Sequence, residues 1–154
     1  FGNAFSTFAA QNYGARQPQR LRRGLRQATL LSAGFSCVVA LFVVVFARPL
    51  MGIFVRPEET AVLAAGVRYL RIEGACYAGI GCLFLLYGFY RAVQKPGMSV
   101  VLTVISLGMR VALAYALAPT LGAVGIWLAI PIGWLLADLT GYGYYWKYRR
   151  QLLP

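Results

Sequence analysis

The sequence has no histidine, and only four acidic residues, Glu58, Glu59, Glu73 and Asp138, stand against fifteen Lys and Arg. Without imidazole the chain lacks the usual general base near neutral pH and the commonest nitrogen ligand for a metal. The carboxylates form no pair at a catalytic separation, no Ser or Cys has a base near it in sequence, and no Gly-rich loop is built to cradle phosphate. The chain is therefore expected not to be an enzyme, to hold no metal and to need no cofactor. Charge is scarce too: 12% of residues are charged and 60% hydrophobic, where a soluble domain has roughly 25% charged. Cys37, Cys76 and Cys82 all lie in apolar stretches, at no metal-ligand or redox spacing, and read as small hydrophobes. At Phe1 there is neither a Met nor a basic segment ahead of a cleavable apolar run, so no signal peptide is expected.

What the sequence has is long apolar runs with basic residues between them. Residues 28–47 carry no charge, and residues 61–93, 98–118 and 121–146 form three further runs. Their apolar stretches contain one intramembrane charge each, Glu73, Arg110 and Asp138. About 20 apolar residues cross a bilayer, so each run is long enough. Residues 1–13 resemble the tail of a fifth span, which makes the chain an expected C-terminal piece of something longer.

The connection 14–27 holds Arg16, Arg20, Arg22, Arg23 and Arg26; the third connection adds Arg91 and Lys95, and the tail adds Lys147, Arg149 and Arg150. Ten of the fifteen basic residues thus fall on alternate connections, which share one side of the membrane. Excess basic charge marks the cytoplasmic side. The expectation is a multi-pass protein of the plasma membrane with a cytoplasmic C-terminus, its arginines fixing topology and touching lipid head groups. The net charge of +11 does not indicate nucleic acid, because the basic residues are dispersed among spans.

Along the chain, residues 49–53 read as a turn at the outer interface. Pro57 suits a first helical position, with Glu58 and Glu59 in the first turn where the helix dipole favours them. A continuous helix over 57–93 would be about 55 Å long, against a hydrocarbon core of ~30 Å, and a kink near Gly74 or Gly79 is expected. Gly74, Gly81 and Gly88, with Ala78, form a small-residue stripe that lets another helix approach. Residues 119–122 make a tight hairpin. Pro131 can kink the last span, and Tyr142, Tyr144, Tyr145, Trp146 and Tyr148 read as an interfacial aromatic belt. Trp127 and Trp134, seven apart on one face, are read as core packing ahead of a cavity lining.

A charge at the centre of a membrane helix costs roughly 2.5–3.5 kcal/mol on insertion scales and needs a partner or a wet cavity. From the cytoplasmic edge Asp138 lies about 14 Å deep, Arg110 about 20 Å and Glu73 about 27 Å, at 1.5 Å per residue. Arg110 and Asp138 are read first as an ion pair holding the hairpin, and second as a proton or sodium site at Asp138 whose occupancy competes with the Arg. Glu73, beside Tyr69 and Arg71, is either a rim carboxylate or a group that receives a proton or a cationic substrate.

Five stretches in order, residues 4–15 (AFSTFAAQNYGA), 67–72 (VRYLRI), 87–96 (YGFYRAVQKP), 109–117 (MRVALAYAL) and 121–131 (LGAVGIWLAIP), resemble the C-terminal half of the multidrug and toxic compound extrusion (MATE) transporters. The resemblance covers nearly the whole chain. It implies an all-α fold in which the five spans match the eighth to twelfth helices of two six-helix bundles around a central cavity. It also implies export of amphipathic cations against inward-flowing H+ or Na+. Some branches of the family carry an ion-coupling carboxylate on the tenth helix; the position here is Ile80, with Glu73 two turns further out.

Glu73, Asp138 and Arg110 are thus the candidate ion-coupling or substrate residues. The expected partners are a small-molecule substrate, membrane lipids and the N-terminal half of the same protein. Two other readings stand beside this one: a lipid-linked sugar flippase of the same wider superfamily, which would need an Arg-rich cavity for its anionic cargo, and a membrane subunit that transports nothing.

Overall fold

The computed structural model describes residues 2–153; Phe1, the first residue of the expected first span, and Pro154 lie outside them. Among the described residues the chain is seven helices: α1 (Gly2–Gly14), α2 (Pro18–Val45), α3 (Ala47–Gly52), α4 (Thr60–Ala75), α5 (Tyr77–Ala92), α6 (Pro96–Leu121) and α7 (Ala123–Leu152). Three of them, α2, α6 and α7, are long and apolar enough to cross a membrane, and α4 with α5 passes the same test only as a bent pair taken together.

Helix α2 starts with Pro18 in its first turn, where the missing N–H costs nothing. The connection expected over residues 14–27 therefore shrinks to three residues, and Arg20 to Arg26 ride on the helix itself. At 1.5 Å per residue its 28 residues run about 42 Å, so the basic first turns project beyond a ~30 Å core. The far end differs from the expected turn at 49–53. The chain pauses at Phe46, and the 6-residue α3 takes in Arg48 and Pro49.

The long third run starts later than Pro57. Pro57 sits in a turn closed by Glu59 N–H donating to Arg56 O (3.1 Å), and the helix begins at Thr60. It then breaks at Cys76, with α4 and α5 bent by 48°, between the two glycines named from the sequence. Around the break the backbone tightens: Cys76 N–H donates to Glu73 O and Gly79 N–H to Cys76 O, three residues back in each case. Such bonds belong to a narrower helix and mark a hinge.

Helix α5 is the centre of the bundle, packed against α1, α2, α6 and α7, with Leu85, Leu86, Phe89 and Tyr90 wholly buried. The glycine stripe makes this possible. A Cβ at Gly81 would stand 2.8 Å from Ser36 Oγ on α2, and one at Gly88 2.8 Å from Gly2 O on α1, closer than side chains tolerate. The packing role read from the sequence is the one these glycines have. Helices α2 and α6 turn apolar faces outward, with Leu31, Phe35, Leu41, Val100, Val104 and Leu107 exposed.

Helices α6 and α7 are an antiparallel pair joined through Gly122 alone. Its φ of 59° and ψ of −140° lie where only glycine is at ease. The aromatic run near the end of α7 also packs against α5. Tyr145 is buried and meets Phe89 edge-on (5.4 Å, 88°), Tyr144 packs on Tyr90 (6.0 Å), and Tyr90 Oη donates to Gly141 O (2.6 Å). Trp146, one residue round the helix from Tyr145, is 74% exposed.

Candidate functional site

Among the described residues, three side-chain atoms are buried without a hydrogen-bond partner: Glu73 Oε1, Arg110 Nε and Asp138 Oδ1. They belong to the three charges singled out in the sequence. Unsatisfied buried polar atoms cost about 1–3 kcal/mol each, more when charged, so each calls for an explanation.

Glu73 lies in the last turn of α4, three residues before the hinge, and is 5% exposed. It is buried where α4 packs against α2, and a Cβ on the adjacent Gly74 would stand 2.9 Å from Val43 Cγ1. Tyr69 and Glu73, four residues apart, stand on one face of α4, and Tyr77 opens α5 just past the break. The charge acting on Glu73 is Arg110 of α6, and Tyr69 feels both. Trp127 of α7 meets the Tyr69 ring edge-on at 5.7 Å. Elements α4, α5, α6 and α7 thus place one carboxylate, one guanidinium and three amphipathic aromatic rings around the hinge.

Asp138 stands apart from this group. The anticipated Arg110–Asp138 ion pair is not formed. A Cβ at Gly133 would lie 2.6 Å from Ser106 O and 3.7 Å from Arg110 N, so Gly133 faces α6 at the level of Arg110. Asp138, five residues on, is roughly 7.5 Å further along the axis and rotated by about 140°. It points instead at α5, with Oδ2 3.8 Å from the position of a Gly79 Cβ. Cys82 and Tyr142 lie within its field, and Tyr142 Oη shares a 2.9 Å hydrogen bond with Thr29 Oγ1 of α2. Arg110 and Asp138 thus differ by roughly 7.5 Å in depth and by about 140° in helical phase.

Ile80, at the position where the resemblance placed a carboxylate, is half-buried against the core. Trp134 is in the core, whereas Trp127 lies at the hinge cluster. One feature escaped the sequence reading. Gly125, Ala129, Gly133, Ala137 and Gly141 are all buried at four-residue spacing along α7, the seam on which α6 and α5 rest. The small-xxx-small pattern was there to be read. The Tyr69–Glu73–Tyr77 spacing was visible as well, but not the packing that buries Glu73.

Residues 1–116 match the model of the MatE family. The probable multidrug resistance protein YoeA of Bacillus subtilis is 28% identical over 152 residues, 95% of this chain and 32% of that protein. An FAD transporter of Shewanella oneidensis is 28% identical over 136 residues, 88% of this chain and 30% of that protein. The fold is similar to part of a structure described as the inward-facing conformation of a multidrug resistance MATE family transporter of the MOP superfamily, with a TM-score of 0.90 at 21% identity over 98% of this chain and 35% of the other. Its outward-facing counterpart gives 0.89 at 21% identity, over 98% and 34%. The chain spans about a third of the length of these relatives.

Proposed function

The chain belongs to the MatE family, and from that premise we propose that it forms part of a secondary active transporter exporting amphipathic, cationic compounds by H+- or Na+-coupled antiport. The observation that carries the proposal is Glu73, a buried carboxylate with an unpartnered oxygen, at the hinge of a broken helix and beside Arg110. In a membrane such a group is a functional candidate by default. Negative charge there attracts a cation, protonation removes that attraction, and Arg110 provides a competing positive charge. The ring faces of Tyr69, Tyr77 and Trp127 suit an amphipathic cation. Because the group lies at a 48° bend, a change in its charge can alter how α4 meets α5. The near-equal match to inward- and outward-facing structures supports a mechanism in which this block moves largely as one body. In this reading the transporter sits in the plasma membrane, its Arg-rich connections and C-terminus cytoplasmic, with membrane lipids and the other helix bundle as neighbours.

The test is Glu73→Gln in the full-length protein, which keeps the size of the side chain and removes both its charge and its titration. Efflux of a cationic dye per molecule should fall at least about tenfold, the rate equivalent of losing about 1.4 kcal/mol of stabilisation, and its pH dependence should flatten. Unchanged efflux per molecule over a pH series that moves the wild type would reduce Glu73 to a packing role.

A further inference from the structure

At the end of α2 furthest from Arg16–Arg26, α3 folds back on α4 and a pocket of about 690 Å3 opens between them. Arg48 of α3 and Arg68 and Arg71 of α4 line it, together with Thr60 and the apolar Leu63 and Val67. Arg68 and Arg71 are three residues apart and so lie on one helix face. No carboxylate lines the pocket. Glu58 and Glu59, the acids in the neighbouring connection, form no ion pair within 4.0 Å with any of the three arginines.

Membrane topology gives no reason for this cluster. The positive-inside rule asks for basic residues at the other end of the bundle, and three like charges around one opening repel each other. The N-terminus of α4, where Thr60 stands, adds partial positive charge from the helix dipole. Guanidinium forks fit phosphate oxygens in bidentate fashion, and a floor of Leu63 and Val67 accepts an apolar group. The geometry points to a site for the phosphate of an anionic amphiphile, held by Arg48, Arg68 and Arg71 with its apolar part against α4. Neither Glu73 nor Arg110 is among the residues that line it. The same chemistry is offered by a phospholipid head group at the membrane interface and by a soluble aryl phosphate.

Thermal unfolding of the full-length protein in uncharged, phosphate-free detergent tests it, with dihexanoyl phosphatidylglycerol, 1-naphthyl phosphate or inorganic phosphate added. One or both amphiphiles should raise Tm saturably. The triple variant Arg48→Gln, Arg68→Gln, Arg71→Gln should bind about 30-fold more weakly, roughly threefold for each exposed guanidinium, while Arg56→Gln, outside the pocket, should bind as wild type. Response to phosphatidylglycerol alone identifies a lipid, and response to naphthyl phosphate alone a soluble ligand. Single Arg→Lys variants, which keep the charge and lose the fork, should weaken binding about twofold, less than removal of the charge, and decide the matter if the triple variant does not fold. No saturable shift with either amphiphile, wild-type affinity in the arginine variants, or inorganic phosphate binding as tightly as both amphiphiles would overturn the assignment.

Discussion

Which carboxylate Arg110 answers to can be settled by double-mutant cycles on Arg110→Gln with Glu73→Gln and with Asp138→Asn. Glu73 and Arg110 act on each other but form no ion pair within 4.0 Å. Unit charges about 5–8 Å apart interact by roughly 2–3 kcal/mol at an effective dielectric near 20. Arg110 is only half-buried, and screening on its open side reduces the expected coupling to about 1–2 kcal/mol. Asp138 lies roughly 7.5 Å further along α7 and faces α5, across the width of a helix. Its coupling to Arg110 should stay below about 0.5 kcal/mol, the limit for independent sites. The assay is SDS-driven unfolding of the full-length protein in mixed micelles, for wild type, three single variants and two doubles. Asp138→Asn alone should not destabilise, since it strands no partner. A coupling above about 1 kcal/mol between Arg110 and Asp138, with none between Arg110 and Glu73, would refute the placement of these charges by helical phase.

Gly133→Leu should destabilise the bundle by about 1–3 kcal/mol through overpacking, because even a Cβ there would stand 2.6 Å from Ser106 O; Gly108→Ala, facing open space on the neighbouring helix, should be neutral or stabilising. Unfolding of both variants in the same micelles measures the difference, and equal effects would remove the seam from the account. For topology, single cysteines at Gln17 and Glu58 in a Cys-free background should be labelled by an impermeant reagent from the cytoplasmic and outer sides respectively. Labelling of Gln17 in intact cells would invert the proposed orientation.

The membrane class, the all-helical fold and the close-packed glycine stripe on α5 were legible in the sequence because each follows from local composition. Apolar runs of sufficient length must become helices, since lipid offers no partner to an open backbone. Glycines at seven-residue spacing return to nearly the same face of a helix. Family membership was legible too, carried by five short motifs in order. Depth along a helix could also be counted from the chain, and it ranked Asp138, Arg110 and Glu73. Depth is one coordinate, and a contact needs the angle around the axis as well. That angle between two helices is set where their surfaces mesh, here by Gly133 against Ser106 and Gly79 against Trp134, and nothing local to Asp138 encodes it. The bend at Cys76 has the same origin: glycines at 74 and 79 permit it, but packing of α4 on α2 and of α5 on four helices determines that it happens. The sequence by itself therefore determined which charges enter the membrane. Only the tertiary structure decided that Glu73 is buried beside Arg110, that Asp138 faces α5, and that three distant arginines share one pocket.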